Sequence, residues 1–107
     1  MPHYLIQTSY KQTGAKALVD HPQSREDAVK KTVASLGGKL HAFFFAFGDY
    51  DTAFIIEMPD NPSAAAMALA AASKGGVASY KTTVLMTSAE AMEAMKKAQK
   101  VEYSPPQ

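Results

Sequence analysis

Apolar positions along the chain switch between a spacing of two and a spacing near 3.6, and each switch falls at a glycine, proline or capping residue. Residues 3–10 (HYLIQTSY) carry the β-branched and aromatic bias of a strand. Thr13-Gly14 breaks that pattern, and a loop or short turn is expected through Asp20-His21-Pro22. Ser24 then reads as an N-cap, with Glu26 and Asp27 in the first turn where carboxylates favour the helix dipole. Val29, Val33 and Leu36 fall on one helical face, and Gly37-Gly38 ends the helix. Residues 39–47 (KLHAFFFAF) and 52–58 (TAFIIEM) are strands separated by Gly48-Asp49-Tyr50-Asp51, a connection short enough to demand an antiparallel hairpin. Asp60-Asn61-Pro62 opens an alanine-rich helix that runs to Gly75-Gly76. Residues 78–87 (ASYKTTVLMT) form the last strand. Thr87-Ser88-Ala89-Glu90 matches a capping box and opens a third helix reaching about Lys100.

The order β-α-β-β-α-β predicts an α+β, ferredoxin-like domain. It has a four-stranded antiparallel sheet, helices on one face because right-handed crossovers place both on the same side, and an extra C-terminal helix. One domain is expected over residues 1–100, followed by a flexible tail at 101–107. If Phe47 pairs with Thr52, His41, Phe43, Phe45, Phe47, Phe54, Ile56 and Met58 share one face. Leu40, Ala42, Phe44, Ala46, Ala53, Ile55 and Glu57 then share the other, with Leu5 and Leu85 extending it. An antiparallel sheet with a wet side alternates to polar residues there, and neither side of this hairpin does so. Packing against an identical partner, as a homodimer or higher homo-oligomer, is the expected remedy.

Composition narrows the function classes. Eleven basic residues against ten acidic ones leave a net charge of +1, so no overall field favours nucleic acid or an anionic membrane. The βαββαβ order is shared with RNA-recognition domains, but here the aromatics gather on the second strand and the third carries no basic residue. The absence of cysteine excludes disulfides and thiolate chemistry and fits a reducing cytoplasm, the expected location. No apolar run approaches the ~20 residues of a membrane span, and no secretory signal is expected at the N-terminus.

The run Leu36-Gly37-Gly38-Lys39-Leu40, the turn Gly48-Asp49-Tyr50-Asp51 and the closing Ile55-Ile56-Glu57-Met58-Pro59-Asp60 resemble the GYD-domain family. The family pattern is Gly, any residue, Tyr, Asp between strands two and three, with Glu and Pro-Asp closing strand three. Tyr4-Leu5-Ile6, Thr13-Gly14, Ser24-Arg25 and the alanine-rich helix add to the resemblance, which covers about residues 3–87. It implies a subunit of the dimeric α/β-barrel type, two four-stranded sheets packed face to face, and little about activity. That wider architecture includes cofactor-free monooxygenases, haem-handling enzymes and small-molecule sensors, and fold analogy does not transfer a function. The three consecutive phenylalanines and His41 depart from the family pattern, so no catalytic residue is carried over.

Five residues stand as ligand-binding candidates: His41, Tyr50, Asp51, Glu57 and Tyr4. Tyr50 and Asp51 offer a phenol and a carboxylate at a strand tip. Alternatively, Asp51 bonds the turn's own amides while Tyr50 packs on a neighbour. Glu57 lies in an apolar strand, where a carboxylate is either a raised-pKa base or the partner of Lys39 or Lys81. His41, on the predicted phenylalanine face with Tyr4 or Tyr80 joining it, either marks an aromatic pocket for a flat molecule or is a half-buried strand residue. His3, His21 and His41 show no paired-ligand spacing, so no metal is expected. Gly37-Gly38 and Gly75-Gly76 end helices rather than open them, so no phosphate loop or cofactor is expected. The leading reading is a dimeric small-molecule-binding or accessory protein whose ligand lies between sheet and helices. The alternatives are a cofactor-independent monooxygenase or isomerase with His41 or Glu57 as base, and a purely structural interaction module.

Overall fold

A computed structural model describes residues 1–107. The elements run β1 (His3–Tyr10), α1 (Gln12–Asp20), α2 (Arg25–Ser35), β2 (Lys39–Phe45), β3 (Thr52–Glu57), α3 (Asn61–Lys74), β4 (Val77–Leu85) and α4 (Ser88–Ala98). The protein is α+β, with four strands in the order β2-β3-β1-β4 and every neighbouring pair antiparallel.

Helix ends follow the local chemistry. Ser24 Oγ accepts from Asp27 N, Asp60 Oδ1 from Ser63 N at 2.8 Å, and Thr87 and Glu90 form a reciprocal capping box. Behind α2, Gly37 takes φ +79° while its N–H bonds Ala34 O and that of Gly38 bonds Val33 O, a Schellman motif. The stop that the sequence predicts at this glycine pair therefore has a geometric cause.

Three expectations change. The segment read as a loop between β1 and α2 contains α1. Its N-cap, Lys11, makes no side-chain cap bond, and none of its residues is buried. Instead Lys11 N bonds Gly76 O at 2.9 Å, and Gly14 lies so close to Gly76 that an added Cβ would stand 2.3 Å from the Gly76 oxygen. Gly14 is thus a close-approach residue rather than a breaker. Second, β2 ends at Phe45, which pairs with Thr52, so residues 46–51 form a longer connection and Phe47 is wholly exposed. Gly48 does not have positive φ, so left-handed geometry is not what places a glycine there.

The third change is a β-bulge. Phe43 pairs with Phe54 and Ala42 with Ile55, but Leu40 pairs with Ile56, leaving His41 as the extra residue. Leu40 thereby reaches the helix-covered face and packs on the core, while His41 leaves the phenylalanine face on which the sequence reading placed it. The helix-covered face holds the core: Tyr4, Ile6, Phe54 and Ile56 from the sheet, with Val33, Met58, Ala64 and Met67 above them. The opposite face presents Leu5, Ala42, Phe44, Ala53, Ile55 and Leu85, of which Phe44 is exposed and none is fully buried. Every α4 residue but Ala91 is exposed. No helix is long and apolar enough to cross a membrane.

Candidate functional site

Two constellations occupy opposite faces of the sheet. Under the helices lies a cavity of about 430 Å³, within the usual range for small-molecule sites. Its floor is Thr8, Thr52, Phe43, Phe54 and Tyr80; α2 contributes Arg25 and Val29, and α3 contributes Met67, Ala70 and Lys74. Alanines on α3 leave the space open because they project only a methyl group where a larger side chain would fill it. Phe43 and Phe54 stack with centroids 5.4 Å apart and planes 21° apart, a flat apolar wall. Thr8 and Thr52 hydroxyls bond each other at 2.5 Å, satisfying both within the floor.

The Tyr80 hydroxyl is different. It is buried with no hydrogen-bond partner, and burial pushes its pKa up to about 12. Tyr10 stands at the rim; burial raises its pKa too, partly opposed by the Arg25 guanidinium beside it. An apolar slot with one orphaned hydroxyl and two cations, Arg25 and Lys74, suits a flat molecule carrying an acceptor or anionic group.

On the uncovered face, Glu57 sits between two imidazoles. His41 Nε2 lies 2.8 Å from Glu57 Oε1, and His3 Nε2 lies 3.6 Å from the same oxygen. The hydrogen bond with His41 is the largest influence and holds the Glu57 carboxyl below its usual range; burial opposes it, and the neighbouring His3 adds to the lowering. The raised pKa entertained from the sequence is therefore reversed, and the partners are histidines rather than Lys39 or Lys81.

The remaining candidates are separate. Tyr4 is buried in the core and donates its hydroxyl to Asn61 Oδ1 at the start of α3, so it does not join His41. Asp51 Oδ2 accepts from Tyr10 N at 2.8 Å, and Asp51 N donates to Thr8 O at 2.8 Å. Its carbonyl accepts from Ala46 N at 2.8 Å and closes the connection, while its carboxylate and N–H tie the hairpin to β1. Tyr50 is half-buried beside it. The fold gathers His41 and Glu57, brings in His3, and leaves Tyr4, Tyr50 and Asp51 elsewhere. Arg25, Lys74 and Tyr10 escaped the sequence reading because nothing in their spacing marks a common cavity. Tyr80, expected beside His41, lines the cavity instead, and the sheet separates the two.

No curated protein and no solved structure matches the chain. The GYD domain matches residues 4–95, which takes in α1 and most of α4 as well as the hairpin signature. That span extends past residue 87, where the resemblance legible in the sequence ends, and over it the chain belongs to the GYD domain family.

Proposed function

We propose that the protein binds a small molecule in the cavity beneath its helices, as a homodimer of ferredoxin-like subunits paired through their uncovered sheet faces. The ligand class is a flat, largely apolar molecule bearing an acceptor or anionic group. The observation that carries this reading is the unpartnered Tyr80 hydroxyl of a cavity walled by stacked Phe43 and Phe54 and bordered by Arg25. A buried hydroxyl without a partner costs roughly 1–3 kcal/mol. A bound acceptor would recover that cost, and a structural core has no use for the space.

The reading in which His41 or Glu57 acts as base on this ligand draws no support from the geometry. Alternation along β3 puts Phe54 on the cavity side and Glu57 on the other.

The test uses 2-naphthoate, an apolar plane with a carboxylate, titrated into the isotopically labelled full chain. Amide shifts should concentrate on β1, β4 and α3, and Tyr80→Phe and Arg25→Ala should each weaken binding about fivefold, the loss of roughly 1 kcal/mol per contact. Absence of saturable shifts at millimolar probe, or shifts confined to other surfaces, would overturn the proposal.

A further inference from the structure

We infer that His3, His41 and Glu57 form a binding site for a divalent transition-metal ion, of the zinc, nickel or copper class, on the sheet face away from the helices. The site is complete within one chain and separate from the cavity, so it depends neither on the proposed ligand nor on a second copy.

Three different strands deliver the three side chains. His3 opens β1 and pairs directly with Glu57 at the end of β3, so both project from the same face. In an unbroken β2–β3 ladder, His41 would stand opposite Ile56, on the core side. The bulge turns it across to Glu57 instead, at the cost of one unpaired ladder position. A bulge that returns Leu40 to the core and aims His41 at a carboxylate serves two demands with one irregularity.

The geometry matches coordination. The ligand atoms of all three residues lie within 4.8 Å of one another. Two ligands of a tetrahedral ion with bonds near 2.1 Å sit roughly 3.4 Å apart. The His3–Glu57 separation of 3.6 Å is close to that, and the His41–Glu57 contact of 2.8 Å needs a small opening. The imidazoles face each other with centroids 5.3 Å apart and a tilt of 31°, and both present Nε2 to one carboxylate oxygen. In the single chain, side chains at this site are roughly a quarter to a third exposed, and they stand at the end of the sheet where β1 begins and β3 ends, so an ion enters from the edge of the face proposed to pair. Two imidazoles and a carboxylate suit zinc, nickel or copper far better than magnesium or calcium, which prefer all-oxygen sites. Three protein ligands leave at least one coordination position open to water or to an incoming group. Lys39 pairs with Glu57 along the ladder but makes no ion pair with it, so no lysine or arginine occupies the carboxylate.

The experiment titrates zinc chloride into the chelator-stripped full chain by calorimetry, with circular dichroism confirming the fold of each variant. One saturable site per chain is expected. His3→Ala, His41→Ala and Glu57→Gln should each weaken it at least tenfold, and Lys39→Ala should not weaken it. Nickel or copper at substoichiometric levels should broaden the resonances of His3 and His41 before those of His21. Failure to bind zinc at micromolar concentrations would overturn the inference, as would unchanged binding in all three ligand variants or broadening centred on His21.

Discussion

Gly38 and Gly48 flank β2, yet the chain depends on them differently. A Cβ at Gly38 would stand 2.4 Å from Met58 Sδ and 2.5 Å from Glu57 O. The thioether can swing away, but the carbonyl belongs to the β3 backbone that sets the register with β1 and β2. Gly38→Ala should therefore cost about 1–3 kcal/mol, the usual range for overpacking, and lower the thermal midpoint by several degrees. Gly48 has nothing within 4 Å of where its Cβ would be and does not have positive φ. Gly48→Ala should stay within about 0.5 kcal/mol of the parent, as substitutions at unconstrained surface sites do. Urea unfolding of the two variants measures both, and an equal loss at the two positions would contradict this account. Although Gly48 belongs to the family signature, nothing in the isolated fold requires it. A surface that a second molecule covers would explain such a residue, and fully exposed Phe47 beside it points the same way.

At the scale of elements, capping carboxylates tie helix stability to pH. Asp60 is held below its ordinary range chiefly by bonds from the side chain and backbone of Ser63, and Glu90 by bonds from Thr87. A depressed folded pKa means that the folded state binds fewer protons than the unfolded chain in the interval between the two values. Stability from these caps is therefore complete above the unfolded carboxylate range, near pH 4, and drains away as pH falls through the folded values. Asp60→Asn keeps a capping acceptor but removes the titration. Its urea midpoint should fall less between pH 6 and pH 2.5 than that of the parent, and an identical fall would exclude Asp60 as a contributor. These caps also explain what was legible in the sequence. Ser24, Asp60 and Thr87 act on amides within three residues, so α2, α3 and α4 could be placed from local chemistry, and the four strands followed from their apolar runs. Helix α1 could not be read, because what anchors it is contact between Gly14 and Gly76, far apart in the chain. Nor could the bulge. It arises where Leu40 must meet the core while His41 meets Glu57, a compromise between elements that no window along β2 contains. Once the bulge is missed, His41 falls on the wrong face and its pairing with His3 disappears from view.

For the whole molecule, the decisive quantity is surface. The chain exposes 7700 Å², whereas a compact monomer of 11.5 kDa would expose about 5,800 Å². The radius of gyration is 17.0 Å, against about 13 Å for a compact domain of this length. Both excesses fit an elongated molecule, 57 Å in its longest dimension, with a sheet not covered by helices on both faces, with α4 turning Met92 and Met95 to solvent, and with residues 101–107 exposed throughout. An isolated helix of eleven residues is marginal in water, so its apolar side requires a surface. A second copy would supply one under the proposed pairing, because two such sheets set face to face would bury Leu5, Phe44, Ile55 and Leu85 reciprocally and give each α4 a neighbouring subunit to lie on. The excess of roughly 1,900 Å² over the compact value is more than twice the ≈ 800 Å² that each partner contributes to a standard interface, so removing it takes an interface in the larger range of obligate homodimers. Light scattering at tens of micromolar should give twice the chain mass, and removing residues 88–107 should weaken the pair without unfolding the sheet. Ile55→Lys combined with Phe44→Asp places charges of opposite sign on one face, yet both are desolvated on pairing, so the variant should run as a folded monomer. A parent protein that scatters as a monomer at that concentration would refute the pairing. A double variant that remains dimeric would move the interface away from this face, leaving the metal site and the cavity, each complete in one chain, to be judged on their own measurements.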